Sequence, residues 1–209
     1  MKTLIAIPCM DTIPTLFMQA FVGMRRVGDV TVSFTVSTLV HNARNVLAKQ
    51  AVDEGFDRIM WLDSDMVFEP DLMERLSADL DEGRDFVTGI YCKRKPPFTP
   101  TIYKDVGLYV ENALVLPKAE AFEEYPQDEI FPIDACGFGC VMHSVDLLKQ
   151  VGGRFGPPFA MLPGLGEDIS FCMRLGELGV KMYADSSIKL GHIGGFVVDA
   201  DFAKKIRGE

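Results

Sequence analysis

Ile59-Met60-Trp61-Leu62-Asp63-Ser64-Asp65 decides the fold: four apolar residues run straight into two carboxylates separated by one serine. A continuous apolar run of this length reads as a strand buried on both faces, the habit of parallel sheets. Open α/β sheets meet their ligands at the carboxyl ends of the strands, which is where Asp63 and Asp65 fall. Two hard oxygen ligands so close together suit Mg²⁺ or Mn²⁺, which take one or two carboxylates plus substrate phosphate oxygens. The ordinary alternative is that Asp63 and Ser64 only cap the turn after the strand.

Upstream, Leu4-Ile5-Ala6-Ile7 reads as a first buried strand, with Pro8 to Asp11 as the loop at its carboxyl end. Pro14 is placed to open a helix that runs to Val27 and stops at Gly28. Residues 30–35 alternate and are β-branched, a second strand. Ser37 or Thr38 can cap the next helix, whose Leu39, Val40, Ala43, Leu47, Ala51 and Val52 keep a helical period to Gly55. His41, Arg44 and Asn45 share one polar face of it. Downstream, Glu69-Pro70-Asp71 starts a helix ending near Gly83, and residues 86–92 form a fourth strand. This βαβαβαβ order predicts an α/β fold: a mostly parallel central sheet flanked by helices.

The second half is less regular. Lys93-Arg94-Lys95-Pro96-Pro97 is a basic, proline-stiffened loop at the ligand side of the sheet. A strand pair is expected over 109–116, turning at Glu111-Asn112, and two short strands over 130–144, broken at Gly137 and Gly139. A short helix over 145–151 precedes residues 152–166, an irregular glycine- and proline-rich segment read as a lid. A helix follows from Glu167 to Leu178, then short strands over 182–184 and 188–190 leading to His192. The tail from residue 195 is expected to be peripheral.

The totals narrow the function. With 209 residues, one domain spanning 1–209 is expected. A net charge of −9 leaves no footprint for nucleic acid. Five cysteines without a Cys-x-x-Cys pair read as reduced and buried, pointing to a reducing, cytoplasmic compartment rather than to zinc. The N-terminal apolar run is cut short by Pro8, so it is not read as a signal peptide, and no stretch is long enough to span a membrane.

The order of these features resembles the GT-A glycosyltransferases, and among them the family-2 type. Ile5-Ala6-Ile7-Pro8 resembles that family's strand opening the nucleotide pocket, and Ala43-Arg44-Asn45 its Ala-Arg-Asn helix. Leu62-Asp63-Ser64-Asp65 resembles its Asp-x-Asp, Gly166-Glu167-Asp168 its acceptor-side Glu-Asp, and Gly191-His192 the late histidine completing the metal site. The resemblance implies a GT-A fold with a nucleotide-sugar-binding half over 1–92 and an acceptor-side half over 93–194. It implies a metal-dependent transferase that moves a sugar, with inversion, from a nucleotide-diphospho-sugar to a saccharide or other hydroxyl acceptor.

Each residue then has an expected role. Asp65 and His192 are metal ligands for Mn²⁺ or Mg²⁺, which would offset the charge of the leaving diphosphate. Asp63 contacts the donor ribose, as the resemblance implies, with Ser64 as a small spacer. Pro8, Asp11, Arg44, Lys93 and Arg94 join them on the donor side, Arg44 through its fork of donors. Asp168 is the general base that takes the acceptor proton, with its pKa expected to be held down by the helix start. Glu167 and Gly137 are assigned to the acceptor, and Tyr91 and Phe159 are candidate sugar-stacking rings. A sugar-phosphate nucleotidyltransferase is the enzyme alternative, although Pro8-Cys9-Met10-Asp11 lacks the glycine-rich, arginine-bearing loop that class resembles. A non-catalytic nucleotide-sugar-binding protein is the other.

Overall fold

The computed structural model describes residues 1–37, 39–195 and 197–208. Alternation along two neighbouring strands explains its centre. In β1 (Lys2–Cys9), Leu4 and Ala6 point into one core while Ile5 and Ile7 point into another. After α1 (Thr15–Gly23), β2 (Asp29–Val36) and α2 (Val40–Asp53) comes β3 (Arg58–Leu62), built the same way. Its Ile59 and Trp61 join the first core, Met60 and Leu62 the second, and all four are fully buried. Burying each such side chain stabilises the fold by about 1.5–3 kcal/mol, which fixes this strand in the middle of the sheet.

The chain continues through β4 (Met66–Val67), α3 (Leu72–Asp81), β5 (Phe86–Ile90), and a hairpin of β6 (Ile102–Glu111) and β7 (Leu114–Ala121). Next come β8 (Ile130–Ile133), β9 (Ala135–Cys136), β10 (Cys140–Ser144), α4 (Val145–Phe155) and α5 (Glu167–Glu177). β11 (Met182–Lys189), β12 (Gly191–Ile193), β13 (Val197–Val198) and α6 (Ala200–Arg207) complete it. The seven-stranded sheet has the order β2-β1-β3-β10-β5-β11-β8. The first three strands, β5 and β11 run one way; β10 and β8 run against them. The molecule is thus mixed α/β with a mostly parallel central sheet. Helices α2, α4 and α5 supply the first core, α1 and α3 the second.

Several elements depart from expectation. β10 inserts antiparallel between β3 and β5, so the fourth strand of the βα run is not the neighbour of the third. Helix α1 ends at Gly23 because Met24 turns into the core and the Arg25 N–H donates to the Pro70 carbonyl at 2.8 Å. Ser37 does not cap α2: its hydroxyl bonds the backbone of Leu39, which is itself the N-cap residue. Thr38 lies outside the described residues. The hairpin is longer than 109–116 and turns on Asn112 and Ala113, both at positive φ (48° and 63°). Residues 182–190 hold one strand with a register shift between Asp185 and Lys189, not two separate strands. The stretch expected as a peripheral tail carries β13 and α6, and Val198 and Ala203 are buried against Cys92 and Phe98. All five cysteines are free and buried.

Two small sheets position the site. β4, which starts right after Asp65, pairs antiparallel with β12, setting His192 opposite Met66. β6 pairs with β9, which ties the hairpin to the segment carrying Gly137 and Gly139.

Candidate functional site

Where β3 ends, the chain folds into a tight turn. The Asp63 N–H donates to the Gly139 carbonyl, the Met66 N–H to the Asp63 carbonyl, and the Ile193 N–H to the Asp65 carbonyl at 2.8 Å. The two carboxylates of the pair then take different partners.

Asp63 faces inward. Both its oxygens accept from Arg44 Nη2, at 2.9 and 3.2 Å. Arg44 Nε donates to Glu167 Oε1 at 3.2 Å and its Nη1 to the Phe138 carbonyl at 3.4 Å. Arg44 is 2% exposed, and its guanidinium lies over the rings of Trp61 and Phe138. The fork expected to hold donor phosphate is therefore occupied from within: Arg44 is a strut linking α2, the end of β3 and the start of α5. Burial opposes its charge, yet Asp63, Glu167 and Asp168 outweigh that and raise its pKa. For Asp63 burial dominates even against Arg44, and with Asp65 and Asp168 nearby its pKa is raised to about 6. Glu167, assigned to the acceptor by sequence, is turned to Arg44 with its side chain only 12% exposed.

Asp65 faces the other way. Its Oδ2 lies 3.4 Å from His192 Nε2 and 2.9 Å from Arg94 Nη1. His192 Nδ1 sits 2.9 Å from the Cys92 carbonyl oxygen. That bond assigns a hydrogen to Nδ1 and leaves Nε2 as the ring nitrogen facing Asp65, a backbone tie of the kind that orients metal-bound imidazoles. The donor set fits a hard divalent cation that completes its shell with water or phosphate oxygens. Among the described residues no group of three or more His, Cys, Asp or Glu gathers in a way that could hold a metal by itself.

Asp168 begins α5 beside this network. Its Oδ1 accepts from the Ile169 N–H at 2.7 Å. A Cβ on Gly166 would fall 2.7 Å from that same oxygen, so any other residue there would push the carboxylate out of this position. Burial raises the Asp168 pKa, aided by Glu167, against the Ile169 hydrogen bond and Arg44. The helix start does not hold it down as the sequence suggested, because desolvation outweighs the backbone donors.

A cleft of about 200 Å³ opens beside these groups, lined by Pro8, Cys9, Met10, Ser37, Val40, Ala43, Asp63, Ser64 and Asp65. Pro8 and Ser64 thus fall with the acid pair. Asp11 is exposed and is not among the lining residues. Lys93 is exposed with its ammonium over the Tyr103 ring, 5.5 Å from the centroid.

The assignments to glycine and aromatic residues change. Cβ atoms on Gly137 and Gly139 would come within 2.3 and 2.7 Å of Tyr91 atoms, so these glycines accommodate the Tyr91 ring. Tyr91 is itself buried, its hydroxyl accepting from the Gly139 N–H and its edge meeting His192. It orients the histidine and offers no face to a sugar. Phe159 is fully buried against Trp61, Phe138 and Phe171, so it is core.

The segment read as a lid is pinned. Its first residues continue α4; the Phe159 N–H donates to Asn45 Oδ1, the Leu162 N–H to Ser170 Oγ, and Arg174 to the Pro158 carbonyl. Sequence reasoning missed Asn45 as this tie, the reach of Arg94 to Asp65, and strand β4. The basic run after the fourth strand was the one available signal for Arg94.

No protein-family model matches the chain, and no curated protein is similar to it. Similarity emerges among solved structures. A197 from STIV superposes with a TM-score of 0.66 at 20% identity, over 93% of this chain and 86% of that one. GalNAc-T7, solved with UDP, GalNAc and Mn²⁺, superposes with a TM-score of 0.60 at 10% identity over 92% of this chain. The match covers 44% of GalNAc-T7, so this chain spans less than half of it. At these identities the likeness is one of fold alone: the chain shares the architecture of A197 and of the matched part of GalNAc-T7. No helix among the described residues is long and apolar enough to cross a membrane.

Proposed function

We propose that the protein is a nucleotide-sugar-dependent glycosyltransferase that acts with a divalent cation, Mn²⁺ or Mg²⁺. The observation that carries this reading is the Arg44 strut, which locks the acid pair at the end of β3 to the start of α5. It holds the start of α5, with the desolvated carboxylate of Asp168, against the turn that also carries Asp65, although these residues lie far apart in sequence. A glycosyl transfer needs both: charge stabilisation for a leaving diphosphate and a base for the attacking hydroxyl.

In this reading the donor nucleotide enters the cleft beside Pro8 and Ser64, with Asp63 at its floor for the ribose. A divalent cation on Asp65 and His192 would offset the charge of the leaving diphosphate. Asp168 accepts the proton of the acceptor hydroxyl, and its raised pKa makes it a stronger base than an ordinary aspartate. Among the described residues no second carboxylate is free beside it to act as a nucleophile, since Glu167 and Asp63 are both held by Arg44, and this favours direct displacement with inversion.

Thermal shift with UDP-, GDP- and dTDP-sugars, each with and without Mn²⁺, tests the reading, because a ligand of the native state raises its melting temperature. A shift with one nucleotide class, enhanced by Mn²⁺ and lost in Asp65→Ala, supports it. Donor binding with no transfer to any acceptor, and no effect of Asp168→Asn on donor hydrolysis, would instead favour a binding protein.

A further inference from the structure

Arg94 Nη1 lies 2.9 Å from Asp65 Oδ2, the same oxygen that faces His192 Nε2 at 3.4 Å. The Arg94 Nη1 also donates to the Ile193 carbonyl at 3.4 Å, which holds the guanidinium across β12. A divalent cation held on that oxygen beside His192 would sit against the Arg94 guanidinium, and the repulsion between the two positive charges sets them in competition for it.

The geometry points to Arg94 as an exchangeable counter-ion: we propose that it occupies the cation position of the donor-free protein and yields it only when a diphosphate arrives. This rests on the reading of Asp65 and His192 as metal-binding. Three features support exchange rather than a permanent pair. The Arg94 side chain is half exposed, at 50%, so its release into solvent costs little. It belongs to the loop 93–97, whose side chains are all exposed, while the flanking Cys92 and Phe98 are buried and keep the loop's ends fixed. The buried Arg44 has no such freedom. Once displaced, the guanidinium remains within reach of the same rim, and its planar fork matches a phosphate. The metal and the diphosphate would therefore bind together, and the free protein would hold metal weakly.

The test compares the full chain with Arg94→Ala and Asp65→Ala, reading Mn²⁺ binding by electron paramagnetic resonance, with and without UDP or GDP. Arg94→Ala should bind Mn²⁺ alone about two- to five-fold more tightly, the size of one half-exposed ion pair no longer opposing it. It should bind the diphosphate alone more weakly, and the cooperation between Mn²⁺ and diphosphate should shrink. Asp65→Ala should lose Mn²⁺ binding altogether. Unchanged or weaker Mn²⁺ binding by Arg94→Ala overturns the exchange. Diphosphate binding that needs no Mn²⁺ and is unchanged in Arg94→Ala also overturns it, while leaving the donor reading intact. If neither UDP nor GDP binds any variant, the donor reading fails together with the exchange.

Discussion

Two charge networks start from one turn and differ in almost every respect. The inner one joins Asp63 and Glu167 through Arg44, whose side chain is only 3% exposed and lies under Trp61 and Phe138. The outer one, Arg94 with Asp65 and His192, borders solvent, and its arginine is half exposed. The two aspartates are separated by one residue, yet one pairs with a buried arginine and the other with a half-exposed one. Burial makes the difference. A buried pair cannot lose one partner without stranding the other charge, whereas an exposed pair can be replaced by water or by a ligand at little cost.

The largest effect should come from Asp168, the proposed base, which follows Glu167 of the inner network in sequence. Asp168→Asn is expected to slow transfer about 10²- to 10⁴-fold with the melting temperature little changed. In the unaltered protein the rate should rise with pH through the raised Asp168 pKa, since the base works only when ionised. A pH–rate profile that is flat across the carboxylate range would remove Asp168 from that role.

Next comes the inner network itself. Arg44→Met leaves Asp63 and Glu167 without their cation and should lower unfolding stability by about 3 kcal/mol. Chemical denaturation measures it, and a loss under 1 kcal/mol would show that the strut is not structural. The matching change outside, Arg94→Ala, should move stability by no more than about 0.5 kcal/mol. Equal losses from the two substitutions would erase the contrast between the networks.

Between these in size is a buried acid that belongs to neither network. Asp79 is 8% exposed, and its Oδ2 has no hydrogen-bond partner. Burial, with Asp185 nearby, raises its pKa to about 6. The folded state therefore binds this proton more tightly than the unfolded chain does. Its ionisation destabilises the fold progressively from the ordinary aspartate range up to about pH 6, and fully above that. Asp79→Asn should stabilise the protein at pH 7 by roughly 1–2 kcal/mol, and the gain should fade below about pH 4. A loss of stability at pH 7 would mean that the Asp79 carboxylate is satisfied after all.

Much of the donor side could be read from the sequence because its signals are local. Alternation in residues 4–7 and 59–62 marks strands buried on both faces, and the two acids at the end of the second mark the turn. What escaped was long-range. Nothing near Arg44 says that its partners are Asp63 and Glu167, since the polar face of a helix looks the same whether it meets solvent or a carboxylate. Phe159 and Tyr91 were read as possible ligand-facing rings because composition cannot distinguish a core aromatic from an exposed one. The glycines around them were legible as sites of close approach, but the approaching group is Tyr91. The insertion of β10 beside β3 left no trace, because an antiparallel strand buried on both faces has the same apolar run as a parallel one.

The pairing of β4 with β12 has a consequence for how the protein comes into being. A chain emerging from the ribosome can bring β1, β2 and β3 together early, and with them the turn that carries Asp65. His192 and the strand that holds it are made much later. A nascent chain therefore has its central strands before it has both candidate ligands of the cation, and it becomes competent only when β12 closes on the turn.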